Sequence, residues 1–153
     1  HKKVISRMKE VNKHYLDWKE VTTLVNNLCD KIIFYQVDND FIFKDIFGLQ
    51  RGGLIPAVMI SHQLRIPMTK GTISTNTLII DDICDSGETL SNFYKRYEEE
   101  FAYSFDLKTA CLHYKPHTSI FKPTLYSEEF KNDNWIIYPW ERIDSKTIQD
   151  YKI

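Results

Sequence analysis

The residues best suited to chemistry lie in one stretch, Leu78 to Leu90, which reads LIIDDICDSGETL. Asp81, Asp82 and Asp85 supply carboxylates, Ser86 and Thr89 supply hydroxyls, and Gly87 lets a ligand approach the backbone closely. Ahead of them, the apolar run Leu78-Ile79-Ile80 predicts a short buried parallel strand. Behind them, Leu90, Phe93, Tyr94 and Tyr97 recur at helical spacing. The order is strand, loop, helix, with the loop at the carboxyl end of the strand, where open α/β sheets bind ligands. Amides at a helix N-terminus and neighbouring hydroxyls suit an anion. The carboxylates would repel that anion and suit sugar hydroxyls and a hard cation. Together they describe a phosphorylated ribose. A plain strand-to-helix turn capped by Asp explains one of the three aspartates and leaves two unexplained.

A second strand-turn-helix precedes it. Phe41 to Leu49 is aromatic and β-branched enough to predict a strand. It runs into Gln50-Arg51-Gly52-Gly53, and Leu54 to Leu64 then predicts a buried helix entered through Pro56. This is again a phosphate-binding geometry, in which Arg51 offers a bidentate positive charge. Taken alone, a tight turn with a solvated arginine explains it as well.

The remaining elements must hold these two loops. Residues 2–15 are polar, basic and without periodicity, which predicts an N-terminal arm. Asp17 with Glu20 forms a capping box ahead of a one-sided helix bearing Val21, Leu24, Val25, Leu28 and Ile32. Trp18 reads as a packing residue at its start, and Asp38-Asn39-Asp40 as a turn. Ile66 to Met68 predicts a short strand, followed only by the turn Thr69 to Thr77. Ser86 to Phe101 reads as a helix with Lys95, Arg96, Glu98, Glu99 and Glu100 on a solvated face. Leu107 to Tyr114 is the next strand, ending at Lys115-Pro116, and Thr124 to Phe130 offers another in a turn-rich stretch. His14, His62, His113 and His117 show no metal-ligand spacing and read as structural or exposed.

The chain's 153 residues suffice for one domain with a sizeable core. A net charge of −1 gives no electrostatic case for nucleic acid or an anionic membrane, and no apolar run or signal-peptide pattern predicts a membrane span or export. Cys29, Cys84 and Cys111 are odd in number and widely spaced, which predicts reduced thiols in a cytoplasmic protein.

Asp81 to Thr89, two acids, two spacers and Asp-Ser-Gly-X-Thr after an apolar strand, resembles the loop by which type I phosphoribosyltransferases bind 5-phosphoribosyl 1-pyrophosphate (PRPP). Arg51-Gly52 resembles the pyrophosphate loop of the purine members, where Gly52 would allow a strained, often cis, peptide. Trp135, three spacers, then Pro139-Trp140-Glu141, with Lys115 upstream, resembles the base-binding end of the xanthine-guanine and hypoxanthine phosphoribosyltransferases. The resemblance covers residues 17–142 and departs from the family at Thr69 to Thr77, where a long lid loop is usual. It implies a single phosphoribosyltransferase domain over 1–153: a mostly parallel α/β sheet of four to five strands, helices on both faces, and a small C-terminal hood over 116–142. The implied reaction moves 5-phosphoribose from PRPP to a 6-oxopurine and releases pyrophosphate. Arg51, Gly52, Asp81, Asp82, Asp85, Ser86, Gly87, Glu88 and Thr89 would bind PRPP, with Asp85 and Arg51 catalytic. Asp81 and Asp82 would help to hold Mg²⁺. Lys115, Trp135 and the Ile136 carbonyl would bind the purine, with Trp140 packed in the core. The family also implies a homo-oligomer, a dimer or tetramer. The short lid leaves a second class open, a PRPP- or nucleotide-binding regulator with little turnover. A third, a phosphate-binding module unrelated to ribose, leaves the C-terminal purine motif as coincidence.

Overall fold

The computed structural model describes residues 12–101 and 106–141. Nine elements follow in chain order: β1 (Lys13–Tyr15), α1 (Trp18–Asp38), β2 (Asp45–Gly48), α2 (Leu54–Leu64), β3 (Thr77–Cys84), α3 (Glu88–Phe101), β4 (Lys108–Tyr114), β5 (Leu125–Glu129) and β6 (Trp135–Ile137). Strands β2, β3, β4 and β5 lie side by side in that order as one parallel sheet. The continuous apolar strand at the centre is the signature of burial on both faces, and Leu78, Ile79 and Ile80 are all fully enclosed.

Alternation along the strands divides the core in two. Leu78, Ile80, Ala110 and Leu112 point to one face, which α1 and α2 cover. Ile79 and Cys111 point to the other, where Leu90, Phe93, Tyr94 and Tyr97 of α3 pack with Phe47. Helices therefore lie on both faces, as the resemblance implied. All five residues predicted for the inner side of α1 are buried there, joined by Cys29. The Asp17 carboxylate caps that helix by accepting from the Glu20 amide at 2.7 Å.

The winding reverses at one place. Ile46 pairs with Leu78 of β3 on one side and forms a parallel bridge to Met68 on the other. The chain thus leaves β2 through α2 toward the outer edge, then returns across to β3. This makes the crevice between the carboxyl ends of β2 and β3 the topological switch point, where doubly wound sheets bind their ligands. Both loops singled out in the sequence emerge there.

Four expectations change in detail. The strand predicted over Phe41 to Leu49 is only Asp45–Gly48; Phe41 and Phe43 instead pack against Tyr35 at the end of α1. The strand predicted over Ile66 to Met68 is reduced to the single bridge at Met68. Strand β3 does not stop at Ile80 but continues through Asp81 and Asp82 to Cys84, because Asp81, Ile83 and Cys84 still pair with β4. The arm predicted over residues 2–15 is structured at its end: β1 pairs in parallel with β6, forming a second, two-stranded sheet. Residues 2–11 of that arm, Arg142 of the hood and the rest of the C-terminal tail lie outside the described residues.

His113 joins the two sheets. It lies on β4, 2% exposed, with its Nδ1 2.9 Å from the Tyr138 hydroxyl, and that hydroxyl donates to the Asp82 carbonyl at 3.1 Å. Because the hydroxyl proton goes to the carbonyl, the His113 Nδ1–H is the donor to its oxygen. Burial, reinforced by the charges of His14 and Lys115, lowers its pKa from 6.5 to about 4. The unfolded chain therefore binds the extra proton between those values, so stability is lost as pH falls from 6.5 toward 4. The loss amounts to about 3 kcal/mol when complete. Urea unfolding across that range should show it, and His113→Gln should flatten the slope; an equal slope in the variant would place its origin elsewhere.

Candidate active site

The loop after β2 is pressed against the end of β3. The Leu49 amide donates to the Ile80 carbonyl at 2.9 Å, and the Gly53 amide returns to the Leu49 carbonyl at 2.9 Å. At Gly52 an added Cβ would overlap the Asp82 carboxylate, and at Gly53 it would overlap the Ile80 carbonyl. Two adjacent glycines are thus required by contact rather than by dihedral angle. The peptide between Gln50 and Arg51 is cis, in the loop where the resemblance implied a strained, often cis, peptide. Arg51 itself is exposed at the crevice.

Asp81 and Asp82 are 8% and 7% exposed at the carboxyl end of β3. One oxygen of each accepts a nearby backbone amide: Asp81 Oδ1 from Asp82 at 2.9 Å, and Asp82 Oδ1 from Ile83 at 2.8 Å. These bonds fix two carboxylates where nearly full burial would otherwise disfavour their charge.

The chain then turns through Asp85, Ser86 and Gly87 into α3. Gly87 has φ of +79°, and a Cβ on it would also overlap Ser119 Oγ. Only glycine meets both demands. The Ser86 hydroxyl accepts the Glu88 amide at 3.3 Å, and the Ser91 amide donates to the Gly87 carbonyl at 2.9 Å. Glu88 and Thr89 therefore open α3, presenting first-turn amides and the positive end of the helix dipole to the loop. Cys84, just before the turn, is buried against Ser119 and the Phe121 carbonyl, and burial raises its thiol pKa to about 11. It stays protonated and unreactive.

Lys115 connects this loop to the second sheet. It is 3% exposed, and its Nζ donates to Asp85 Oδ2 at 3.2 Å and to the Asn134 carbonyl at 2.8 Å. Two of its three N–H groups are thereby held, leaving one to donate. Strand β6 begins at the next residue. The Trp135 amide donates to Asn12, and the Ile137 carbonyl accepts from Leu16. The backbone groups of Trp135 and Ile137 therefore face β1, and strand alternation turns the Ile136 carbonyl to the opposite edge, the one Asn134 shows to Lys115. Trp135 is half-buried and Ile136 is 5% exposed. Trp140 stacks on Tyr138 with ring centroids 4.7 Å apart and packs against the core, as its sequence position suggested. Trp18 is 51% exposed, with its ring 6.0 Å from that of Trp140.

The structure thus gathers Arg51, Gly52, Asp81, Asp82, Asp85 and the Ser86–Thr89 turn at one crevice, with Lys115 bridging from Asp85 to the segment carrying Trp135 and Ile136. Sequence reasoning passed over Thr118, whose hydroxyl lies 3.0 Å from Asp85 Oδ1, and Tyr138, which holds the Asp82 backbone. Thr118 sits in a turn-rich stretch with no periodic signal, and nothing in its spacing marks it. Tyr138 could have been found, since a tyrosine beside Pro139-Trp140 in an apolar run must place its hydroxyl on some partner.

The contact at Gly52 yields a direct test. Gly52→Ala should lower stability by about 1–3 kcal/mol, the usual cost of forcing atoms into a packed site. Denaturant unfolding measures it, and a neutral substitution would mean the loop is free to move off Asp82.

No family model matches the chain. It is 28% identical to a xanthine-guanine phosphoribosyltransferase of Cereibacter sphaeroides, over 65% of this chain and 70% of that protein. A purine phosphoribosyltransferase from Pyrococcus horikoshii superposes with a TM-score of 0.70 at 29% identity, covering 88% of this chain and 97% of that one. A xanthine-guanine-hypoxanthine phosphoribosyltransferase of Helicobacter pylori, 17% identical, shares the fold with a TM-score of 0.67 over 85% of this chain and 94% of its own. With two glycine-dependent loops at the switch point, the acid pair at the end of β3, and relatives of this kind across most of its length, the chain is similar to the type I phosphoribosyltransferases, in the group of the purine enzymes.

Proposed function

We propose that this protein transfers 5-phosphoribose from PRPP to a 6-oxopurine, giving the nucleoside 5′-monophosphate and pyrophosphate. The observation that carries this reading is Lys115, a buried cation shared between the loop suited to phosphoribose and the segment suited to a purine. A phosphate-binding module unrelated to ribose would have no use for that bridge. A PRPP-binding regulator would have no need of a carboxylate held beside it.

In the reaction the bond from the anomeric carbon to pyrophosphate breaks, its electron pair leaving with pyrophosphate. A ring nitrogen of the purine bonds to that carbon and loses its proton. Arg51 would meet the charge growing on pyrophosphate, a preorganised positive group where the transition state needs one. Asp81 and Asp82 would hold the ribose hydroxyls beneath the sugar as it becomes cationic. Ser86, Gly87, Glu88 and Thr89 would hold the 5′-phosphate, Glu88 through its amide. Asp85 would accept the purine proton.

Mg²⁺ fits these residues in one particular way. Among the described residues no group of three or more His, Cys, Asp or Glu could hold a metal alone. Asp81 and Asp82 each commit one oxygen to an amide, so they suit a cation whose other ligands are water and pyrophosphate oxygens. When bound, Mg²⁺ would supply charge neutralisation at pyrophosphate.

The purine would lie against Trp135, with its 6-oxo group toward the remaining N–H of Lys115 and another edge toward the Ile136 carbonyl. Stacking on an aromatic ring contributes roughly 1–3 kcal/mol per base in other proteins. The three buried free thiols accord with a reducing, cytoplasmic setting. Phe34 and Val37, exposed apolar residues one turn apart on α1, would suit contact with a second copy of the chain; among the described residues no helix is long and apolar enough to cross a membrane.

Two measurements test the reading. Asp85→Asn should leave PRPP affinity nearly unchanged by calorimetry while slowing transfer by about 10²–10⁴-fold, the usual weight of general base catalysis; an equal loss in both would make Asp85 structural. Pyrophosphate release with each base should favour guanine, xanthine or hypoxanthine over adenine, because Lys115 can only donate and adenine offers a 6-amino group. Adenine as the best substrate would overturn the role of Lys115.

A further inference from the structure

One turn holds both oxygens of the Asp85 carboxylate. Lys115 takes Oδ2, and the Thr118 hydroxyl lies 3.0 Å from Oδ1. The same hydroxyl is also 3.0 Å from the Asp85 main-chain carbonyl. The turn is fastened on either side of Asp85: the Lys115 amide donates to the Cys84 carbonyl at 3.0 Å, and the Ile120 amide to the Ser86 carbonyl at 2.8 Å. Within it the Thr118 and Ser119 amides both donate to the Lys115 carbonyl. Backbone bonds therefore set Thr118 against Asp85, and its hydroxyl has two acceptors at equal distance but a single proton.

We propose that Thr118 is a positioning residue for Asp85 whose hydroxyl changes acceptor during turnover; the inference rests on Asp85 as the proton acceptor. While Asp85 is ionised, the hydroxyl donates to Oδ1, since a charged acceptor makes the stronger bond. When the purine nitrogen bonds to the anomeric carbon, its proton passes to the carboxylate. Lys115 already donates to Oδ2, so the proton settles on Oδ1. The Thr118 O–H then rotates to the Asp85 main-chain carbonyl, and its oxygen becomes an acceptor facing the new carboxyl group. No proton is gained or lost at Thr118. In the ionised state the main-chain carbonyl goes without the hydroxyl proton; once Asp85 is protonated, a proton lies between each of these close pairs of oxygens. The other titratable groups set against Asp85 are Lys115, whose Nζ lies 3.2 Å from Oδ2, and Cys84 of β3, a thiol raised by burial to about 11. His117, on the same turn, is directed to Asp133 instead.

The test uses the full chain and steady-state kinetics over pH. Thr118→Val keeps the side-chain shape and removes the hydroxyl. Its kcat should fall about tenfold with both KM values nearly unchanged, and the acid limb of kcat should move up by about one pH unit, because a bond that favours the charged form is lost. Thr118→Ser should restore both. The inference is overturned if Thr118→Val keeps the wild-type limb, or if Thr118→Ser is as impaired as Thr118→Val. The Asp85→Asn variant separates this from the wider reading. An acid limb that persists unchanged there overturns Asp85 as acceptor, whereas a limb that vanishes there yet stays put in Thr118→Val overturns the role of Thr118 alone.

Discussion

A lysine with 3% of its surface exposed must be neutralised where it stands, and Lys115 is neutralised by the part of the molecule that would do chemistry. Its ammonium takes a carboxylate from the turn after β3 and a carbonyl from the segment before β6, while its ring-facing side lies 5.6 Å from Phe130. Three pieces of chain far apart in sequence are thereby held at distances set by one Nζ. Removing either partner would leave a buried charge short of a bond, so the turn and the second sheet are not independent parts. Under the proposed reaction, the donor that would select a 6-oxo group also contacts the carboxylate that would take the proton, so base choice and turnover would meet on one side chain.

The second constraint is steric. The loop after β2 approaches the end of β3 so closely that no side chain fits at Gly52 or Gly53. That approach sets the exposed Arg51 near two carboxylates that are almost wholly buried. Opposite charges are thus set on the two walls of one crevice at the switch point, the arrangement that a substrate bearing both phosphates and sugar hydroxyls requires. The amides that hold Asp81 and Asp82 come from their own strand, and Tyr138 grips the Asp82 carbonyl from the second sheet. The acids are rigid before any ligand arrives, which lowers the cost of ordering them on binding.

Much of this was legible in the sequence because its signals are local. An apolar run, an N-cap, a glycine and a helical stripe each act within a few residues, and α1, α2, β4 and the two loops are found where those signals lie. What was illegible depends on distant partners. Strand β3 keeps its ladder through Asp81 and Asp82 only because β4 lies beside it, and polarity alone suggested a loop. Lys13 to Tyr15 carries no periodicity, yet becomes a strand because β6 offers an edge. Lys115 alone reads as a solvated lysine; its burial follows from Asn134 and Phe130, which no spacing rule brings to it. Thr118 is of the same kind, a residue whose meaning lies in a turn geometry fixed by the backbones of Cys84 and Ser86.

The connection between α2 and β3 bears on how the crevice is covered. It rises beside β2 only as far as the Met68 bridge to Ile46, two residues short of Gly48, where β2 ends. It then turns at Gly71, with φ of +119°, and descends. Its return is tied down: the Lys44 amide donates to the Asn76 carbonyl at 2.8 Å, the Asn76 side chain donates to the Ile42 carbonyl at 3.1 Å, and Thr77 Oγ1 donates to Asp45 Oδ1 at 2.6 Å. These bonds hold the segment at the amino end of the sheet, away from the switch point. Cover over a reactive, cationic sugar must therefore come from the carboxyl side. There the turn from Lys115 to Phe121 already lies across the Ser86–Gly87 backbone and carries Ile120, 71% exposed, beside it. An apolar side chain held at the rim of a polar crevice is what excluding water needs, and this turn is anchored on both sides of the carboxylate it would shield.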